Sequence, residues 1–229
     1  RRGLDARDLW VAALVFGAVF ALYRATPYPS LLDSKYALLT SESLLRRASW
    51  DLSPFLPTLA RLQSTEPGGR LDKSLYQLRR VEDRLLYLYP PGTPLLSAPL
   101  LALWRPFGGS VLDGRGHYSK PRERRRQGLL ATLVTALAVA LIYRVARYEV
   151  GRVEALLVAT LAAFGTTLWT VASRSLWSHT WSVLLGAVAI EELLRWESGR
   201  PRRPELLGLL LVALFWVRPT NAIAAAAVA

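Results

Sequence analysis

Long apolar runs separated by short cationic stretches dominate the second half of the chain, and one more stands near its beginning. A helix that crosses a membrane needs about 20 consecutive, mostly apolar residues. Residues 9–23 follow Arg1, Arg2 and Arg7 and predict a first span. A signal peptide shares the cationic start and apolar core. Here, however, Tyr23 and Arg24 follow the core directly, where a small-residue cleavage site would belong. The reading is an uncleaved span. Residues 128–143, 153–172, 176–194 and 206–217 predict four further spans, and 222–229 begin a sixth that continues past the last residue. Lipid offers no hydrogen bonds to peptide groups, so each run must satisfy its own backbone as a helix. The predicted fold is all-α, a polytopic transmembrane helical bundle.

Residues 26–127 break this pattern. They hold sixteen Lys and Arg against nine Asp and Glu, with Pro and Gly throughout. Residues 33–47 predict an amphipathic helix, with Ala37, Leu38, Leu44 and Leu45 on one side and Lys35, Glu42 and Arg46 on another. Residues 93–107 are apolar but short and contain Pro94, Pro99 and Pro106, which suits a helix lying in the interface better than one that crosses. Three parts follow. Residues 1–25 are a cytoplasmic start and the first span. Residues 26–127 are a long outer loop, periplasmic or extracellular, with juxtamembrane helices at 33–47 and 93–107. Residues 128–229 are the transmembrane bundle, incomplete at its C-terminal end.

Charge orients the spans. The chain is 52% hydrophobic, yet Lys and Arg outnumber Asp and Glu by 29 to 17. If 93–107 does not cross, the loops carrying Arg144, Arg147 and Arg152, and Arg195, Arg200, Arg202 and Arg203, share the side of the cationic N-terminus. That is the positive-inside arrangement, and it predicts a multi-pass protein of the inner or plasma membrane with its N-terminus in the cytoplasm. Arg122 and Arg124–Arg126 then fall on the outer side, so the opposite topology stays open.

Several functions are excluded or left without support. With no Cys and two His, the chain has no disulfide, thiolate metal site or multi-His centre. The acids of the outer loop have no metal-site spacing, and a divalent cation is the only cofactor left open. No Gly-rich phosphate loop occurs, which removes the main sign of a nucleotide-binding α/β domain. The arginines flank apolar runs instead of forming one stripe, so nucleic acid is not an expected partner. Inverted repeats and mid-membrane charges, the marks of a secondary transporter, are not evident.

In the favoured topology four polar motifs meet at one face. They are Asp33; Tyr89-Pro90-Pro91-Gly92; residues 173–179, with Arg174, Trp177 and His179; and Arg218-Pro219-Thr220-Asn221. Sites in helical membrane proteins form where polar residues converge in this way. Each motif also has a structural reading. Asp33 could be the N-cap of the helix it precedes, and the Pro-Pro pair could be a stiff turn opening the next helix. Arg174 and His179 could belong to an interfacial belt with Trp177 and Trp181, and Arg218 could mark a span terminus.

This layout resembles the GT-C superfamily of membrane glycosyltransferases, in particular protein O-mannosyltransferases and lipid A aminoarabinose transferases. The likeness rests on the short start, the single span, the acidic residue early in a long outer loop, and the helix opened by Pro90 and Pro91. It implies transfer of a sugar from a polyprenyl-phosphate donor to a protein, lipid or glycan acceptor. Asp33 would be the catalytic base or the group that orients the acceptor, Arg174, Arg218 and His179 the donor-phosphate group, and Tyr89, Pro90, Pro91 and Asn221 would shape the site. The mannosyltransferases carry an Asp-Glu pair where this chain has Asp33-Ser34, and His-Pro-Pro where it has Tyr89-Pro90-Pro91.

The chemistry is consistent with these residues. A positioned carboxylate that takes the acceptor proton contributes roughly 10²–10⁴-fold. The charge growing on a departing phosphate calls for cations, and the planar fork of Arg grips phosphate oxygens in pairs. The alternative is a non-catalytic membrane subunit or lipid-carrier-binding scaffold of a larger complex, which the lost second acid favours.

Overall fold

The computed structural model describes residues 4–26, 30–57, 76–223 and 226. Arg1, Arg2 and most of the predicted sixth span lie outside the described residues. The chain is mostly helical, with one small hairpin. Helix α1 (Ala6–Ala25) starts on a capping box in which Asp5 and Asp8 each accept the other's backbone N–H. Helix α2 (Ala37–Arg47) and helix α3 (Gly92–Trp104), which continues as a 3-10 turn at Arg105–Phe107, flank strands β1 (Leu78–Val81) and β2 (Arg84–Tyr87) in the sequence. The two strands pair antiparallel across the two-residue turn Glu82-Asp83. Helix α4 (Lys120–Glu149) has 30 residues and is followed by α5 (Arg152–Phe164), a π-helical turn at Leu168–Ala172, α6 (Ser178–Glu197) and α7 (Pro204–Val217).

Helices α1 and α4 are long and apolar enough to cross a membrane. At 1.5 Å per residue they reach about 30 and 45 Å. The predicted span 153–172 is divided, because α5 ends at Phe164 and the chain passes through Gly165-Thr166-Thr167 before the π turn. Helix α7 is apolar but only 14 residues long.

Helix α4 is the axis of the fold and takes part in both hydrophobic clusters. One joins Leu130, Val134 and Ala138 to Leu38 and Leu39 of α2, Leu184 of α6 and Leu214 of α7. The other joins Ala136, Val139 and Tyr143 to Ala12 and Val19 of α1 and to Ala155, Ala159 and Ala163 of α5. The alanine stripe on α5 lets two helix backbones approach closely, as small residues do at membrane helix interfaces. The outward faces are apolar too. Trp10 is 74% exposed, Leu161 67% and Leu209 66%.

Ion pairs fix which helix ends are neighbours. Asp8, at the start of α1, is buried and receives Arg147 Nε at 2.9 Å and Arg152 Nε at 2.9 Å from the α4–α5 turn. At the other end of α1, the Tyr23 hydroxyl donates to the Ala163 carbonyl at 2.7 Å, near the end of α5. Thus α1 and α5 run the same way, and α4 runs against both.

Candidate functional site

Where α1, α5 and α7 end, the chain segments between helices form a cavity of about 280 Å³. Asp33, Tyr87, Tyr89, Pro90, Thr93, Trp177, His179 and Arg218 are among the residues lining it. Among the described residues, Asp33 is the only acidic residue in that lining. The volume lies just below the about 300–1,000 Å³ usual for small-ligand pockets.

Asp33 does not cap α2. The N-cap is Tyr36, in the left-handed conformation at φ 75°, and it makes no side-chain cap bond. Glu123 of α4 caps the helix from outside instead. Its carboxylate accepts Tyr36 N at 3.1 Å and Leu38 N at 3.0 Å, together with the Tyr118 hydroxyl at 2.6 Å. One turn later, Gln127 Nε2 donates to the Ser34 carbonyl at 2.6 Å. Gln127 Oε1 accepts from the Ser175 hydroxyl at 3.2 Å, and that hydroxyl also bonds the Ser34 hydroxyl. The Asp33-Ser34 turn is thereby fastened to both α4 and the segment entering α6.

The hairpin supplies the other support. The Tyr87 hydroxyl donates to the Asp33 carbonyl at 2.7 Å, and the Tyr76 hydroxyl donates to Asp33 Oδ1 at 2.7 Å. The Tyr87 and Tyr89 rings lie 5.5 Å apart. Burial, then hydrogen bonding to Asp33, raises the Tyr89 phenol above its ordinary pKa. Tyr89 and Asp33 line the same cavity.

The third wall depends on a glycine. A Cβ at Gly92 would collide with the backbone of Trp216 and Val217. Only Gly lets the start of α3 touch the end of α7, and this contact brings Pro90 and Thr93 beside Arg218. Arg218 Nη1 lies 2.5 Å from His179 Nδ1, and the His179 and Trp177 rings are stacked at 6.4 Å.

Of the residues singled out from sequence, Asp33, Tyr89, Pro90, His179 and Arg218 line this cavity. Pro91 is the N-cap residue of α3. Asn221 binds Ser182 Oγ and the Leu214 carbonyl, both at 2.9 Å, and so ties the end of α7 to α6. Arg174 is at the same end of the fold, and its carbonyl accepts Ser30 N at 3.2 Å. Its guanidinium is turned away from the cavity, donating to the Trp169 carbonyl at 3.0 Å and to the Thr26 carbonyl. Sequence reasoning missed Glu123, Gln127 and Tyr87. The one available signal was a single Glu inside an arginine run and a single Gln, four residues later, directly after it.

Among the described residues no group of three or more His, Cys, Asp or Glu converges to hold a metal. The cavity's own donors, Asp33 and His179, do not make a protein cage for a divalent cation. No protein-family model, curated protein or solved structure matches the chain.

Proposed function

We propose that this chain is a membrane-embedded glycosyltransferase of the GT-C type, transferring a sugar from a polyprenyl-phosphate donor to an acceptor hydroxyl. One observation carries the reading: a carboxylate, Asp33, and a guanidinium, Arg218, line one cavity although they are far apart in sequence. The acceptor oxygen gives its proton to Asp33 and bonds to the sugar carbon. The carbon–oxygen bond to phosphate breaks on the opposite side, with inversion. Arg218, held against His179, stabilises the charge left on the lipid phosphate. The tilted ring pair Tyr87 and Tyr89 gives the sugar an aromatic wall.

In this reading α1, α4, α5 with its π turn, α6 and α7 are five crossings of the cell membrane. The N-terminus is cytoplasmic, and the cavity opens at the outer face. The outward apolar side chains support it, because lipid is the solvent they suit. The alternation of helix ends supports it too, since the Asp8, Arg147 and Arg152 cluster lies at the end opposite Asp33.

The test is transfer of radiolabelled sugar from a polyprenyl-phosphate donor in proteoliposomes. Asp33→Asn should lower transfer by about 10²–10⁴-fold with an unchanged melting temperature; full activity would overturn the assignment. A second reading is a carrier-binding subunit without catalysis. It is favoured by the Ser34 hydroxyl, which sits where the mannosyltransferases place a second acid and is occupied by Ser175. Donor binding without transfer by the unaltered chain would select it.

A further inference from the structure

The end of the bundle away from Asp33 has a concavity of its own, about 240 Å³, lined by Leu4, Leu9, Arg144, Tyr148, Arg195 and Arg200 among others. Arg144 comes from α4, Arg195 from the last turn of α6, and Arg200 from the loop that follows. No acidic residue lines the space among the described residues.

The nearby carboxylates offset its charge only in part. Glu191 is buried and takes one guanidinium nitrogen of Arg144, while Arg144 Nε is buried with no hydrogen-bond partner. Glu192 is shared between Arg195 at 3.3 Å and Arg203 at 4.0 Å. Arg200 makes no ion pair among the described residues. Among the described residues, Arg144, Arg195 and Arg200 thus face one cavity that no carboxylate lines.

Arginine forks converging on such a space suit the oxygens of a phosphate. The other wall is apolar, made by Leu4 and by Leu9, which is half exposed on the outward face of α1. Beside the loop, the Arg202 guanidinium covers the Trp196 ring at 3.5 Å, and Trp is the residue of the headgroup layer. We propose that this pocket holds the phosphate of an anionic phospholipid, with Leu4 and Leu9 against the first carbons of its chains. The inference needs α1 and α4 to cross a bilayer and is independent of glycosyl transfer. Basic pockets between helices are a known mode of headgroup binding.

Native mass spectrometry of the full chain in detergent, after delipidation, tests it with phosphatidylglycerol, phosphatidylcholine and inorganic phosphate as separate probes. A phosphatidylglycerol adduct should persist, and Arg195→Gln with Arg200→Gln should reduce it at least about tenfold. Arg79→Gln with Arg84→Gln, both exposed on the hairpin, removes the same charge and should leave the adduct intact. Equal retention in the first double variant would overturn the proposal, as would equal loss in the control. Binding of inorganic phosphate without a phosphatidylglycerol adduct would assign the pocket to a soluble anion instead.

Discussion

The side-chain amide of Gln127 reaches the backbone carbonyl of Ser34 at 2.6 Å, across 93 residues of sequence. Its oxygen receives the Ser175 hydroxyl and, at 3.4 Å, Leu176 N. One buried side chain therefore sets the position of Asp33 relative to the segment that leads into His179. Leucine at this position would leave the Ser34 carbonyl and Leu176 N–H buried without partners, at a cost of about 1–3 kcal/mol. Gln127→Leu should lower the melting temperature and reduce transfer although Gln127 does not line the cavity. Gln127→Glu keeps acceptor oxygens for Ser175 but loses the bond to Ser34 and sets a second carboxyl against Glu123, whose Oε1 accepts Gln127 Nε2 at 3.1 Å, so it should not restore stability.

Gly92→Ala tests the contact between α3 and α7. The added methyl meets the backbone of Trp216 and Val217, which cannot move as a flexible side chain would. Overpacking of this kind costs about 1–3 kcal/mol. The helices should separate, carrying Arg218 away from Pro90. Apparent donor affinity should fall together with thermal stability, whereas Gly186→Ala, inside α6 with open space around it, should leave affinity unchanged and hold or raise stability.

Two arginines that look equivalent in sequence should behave differently. Arg218→Ala should weaken apparent donor affinity, since its guanidinium lines the cavity. Arg174→Ala should lower stability and leave donor affinity near that of the unaltered chain, because its guanidinium is spent on the Trp169 and Thr26 carbonyls. Comparable affinity losses in both would mean that Arg174 swings into the cavity when donor binds.

Acid should loosen the hairpin that carries Tyr87. Desolvation alone would raise the pKa of Asp51, but hydrogen bonds from the Ser53 side chain and from the Ser53 and Leu85 N–H groups, with Arg47 nearby, hold its carboxyl below the ordinary value. A carboxyl depressed in the folded state stabilises fully above its unfolded pKa of about 3.9, and that stability is lost as pH falls through the folded value. Melting temperature should therefore drop below about pH 4, and the drop should be smaller in Asp51→Asn.

Some of this was legible in the sequence. The apolar stretch at 93–107 appears as α3 with its 3-10 turn, and the first apolar run appears as α1, extended at its start by the Asp5–Asp8 capping box. The meeting of Asp33, His179 and Arg218 at one cavity follows from their places in alternate connections between apolar runs. The hairpin was not, since its turn is Glu82-Asp83, without the Asn or Gly that marks such turns. The division at 165–167 did not show in hydropathy, because Gly165, Thr166 and Thr167 interrupt an apolar stretch without a charge; Gly165, the C-cap, was the local signal. Nor could residue type separate Arg174 from Arg218; only the direction of each guanidinium does so.

Residues 120–149 form one unbroken rod. Near its beginning it holds the Asp33 turn through Gln127, and near its finish it contributes Arg144 to the opposite pocket, about 26 Å further along. A rod has no slack. A slide of the helix along its own axis would therefore displace the Asp33 turn and Arg144 together.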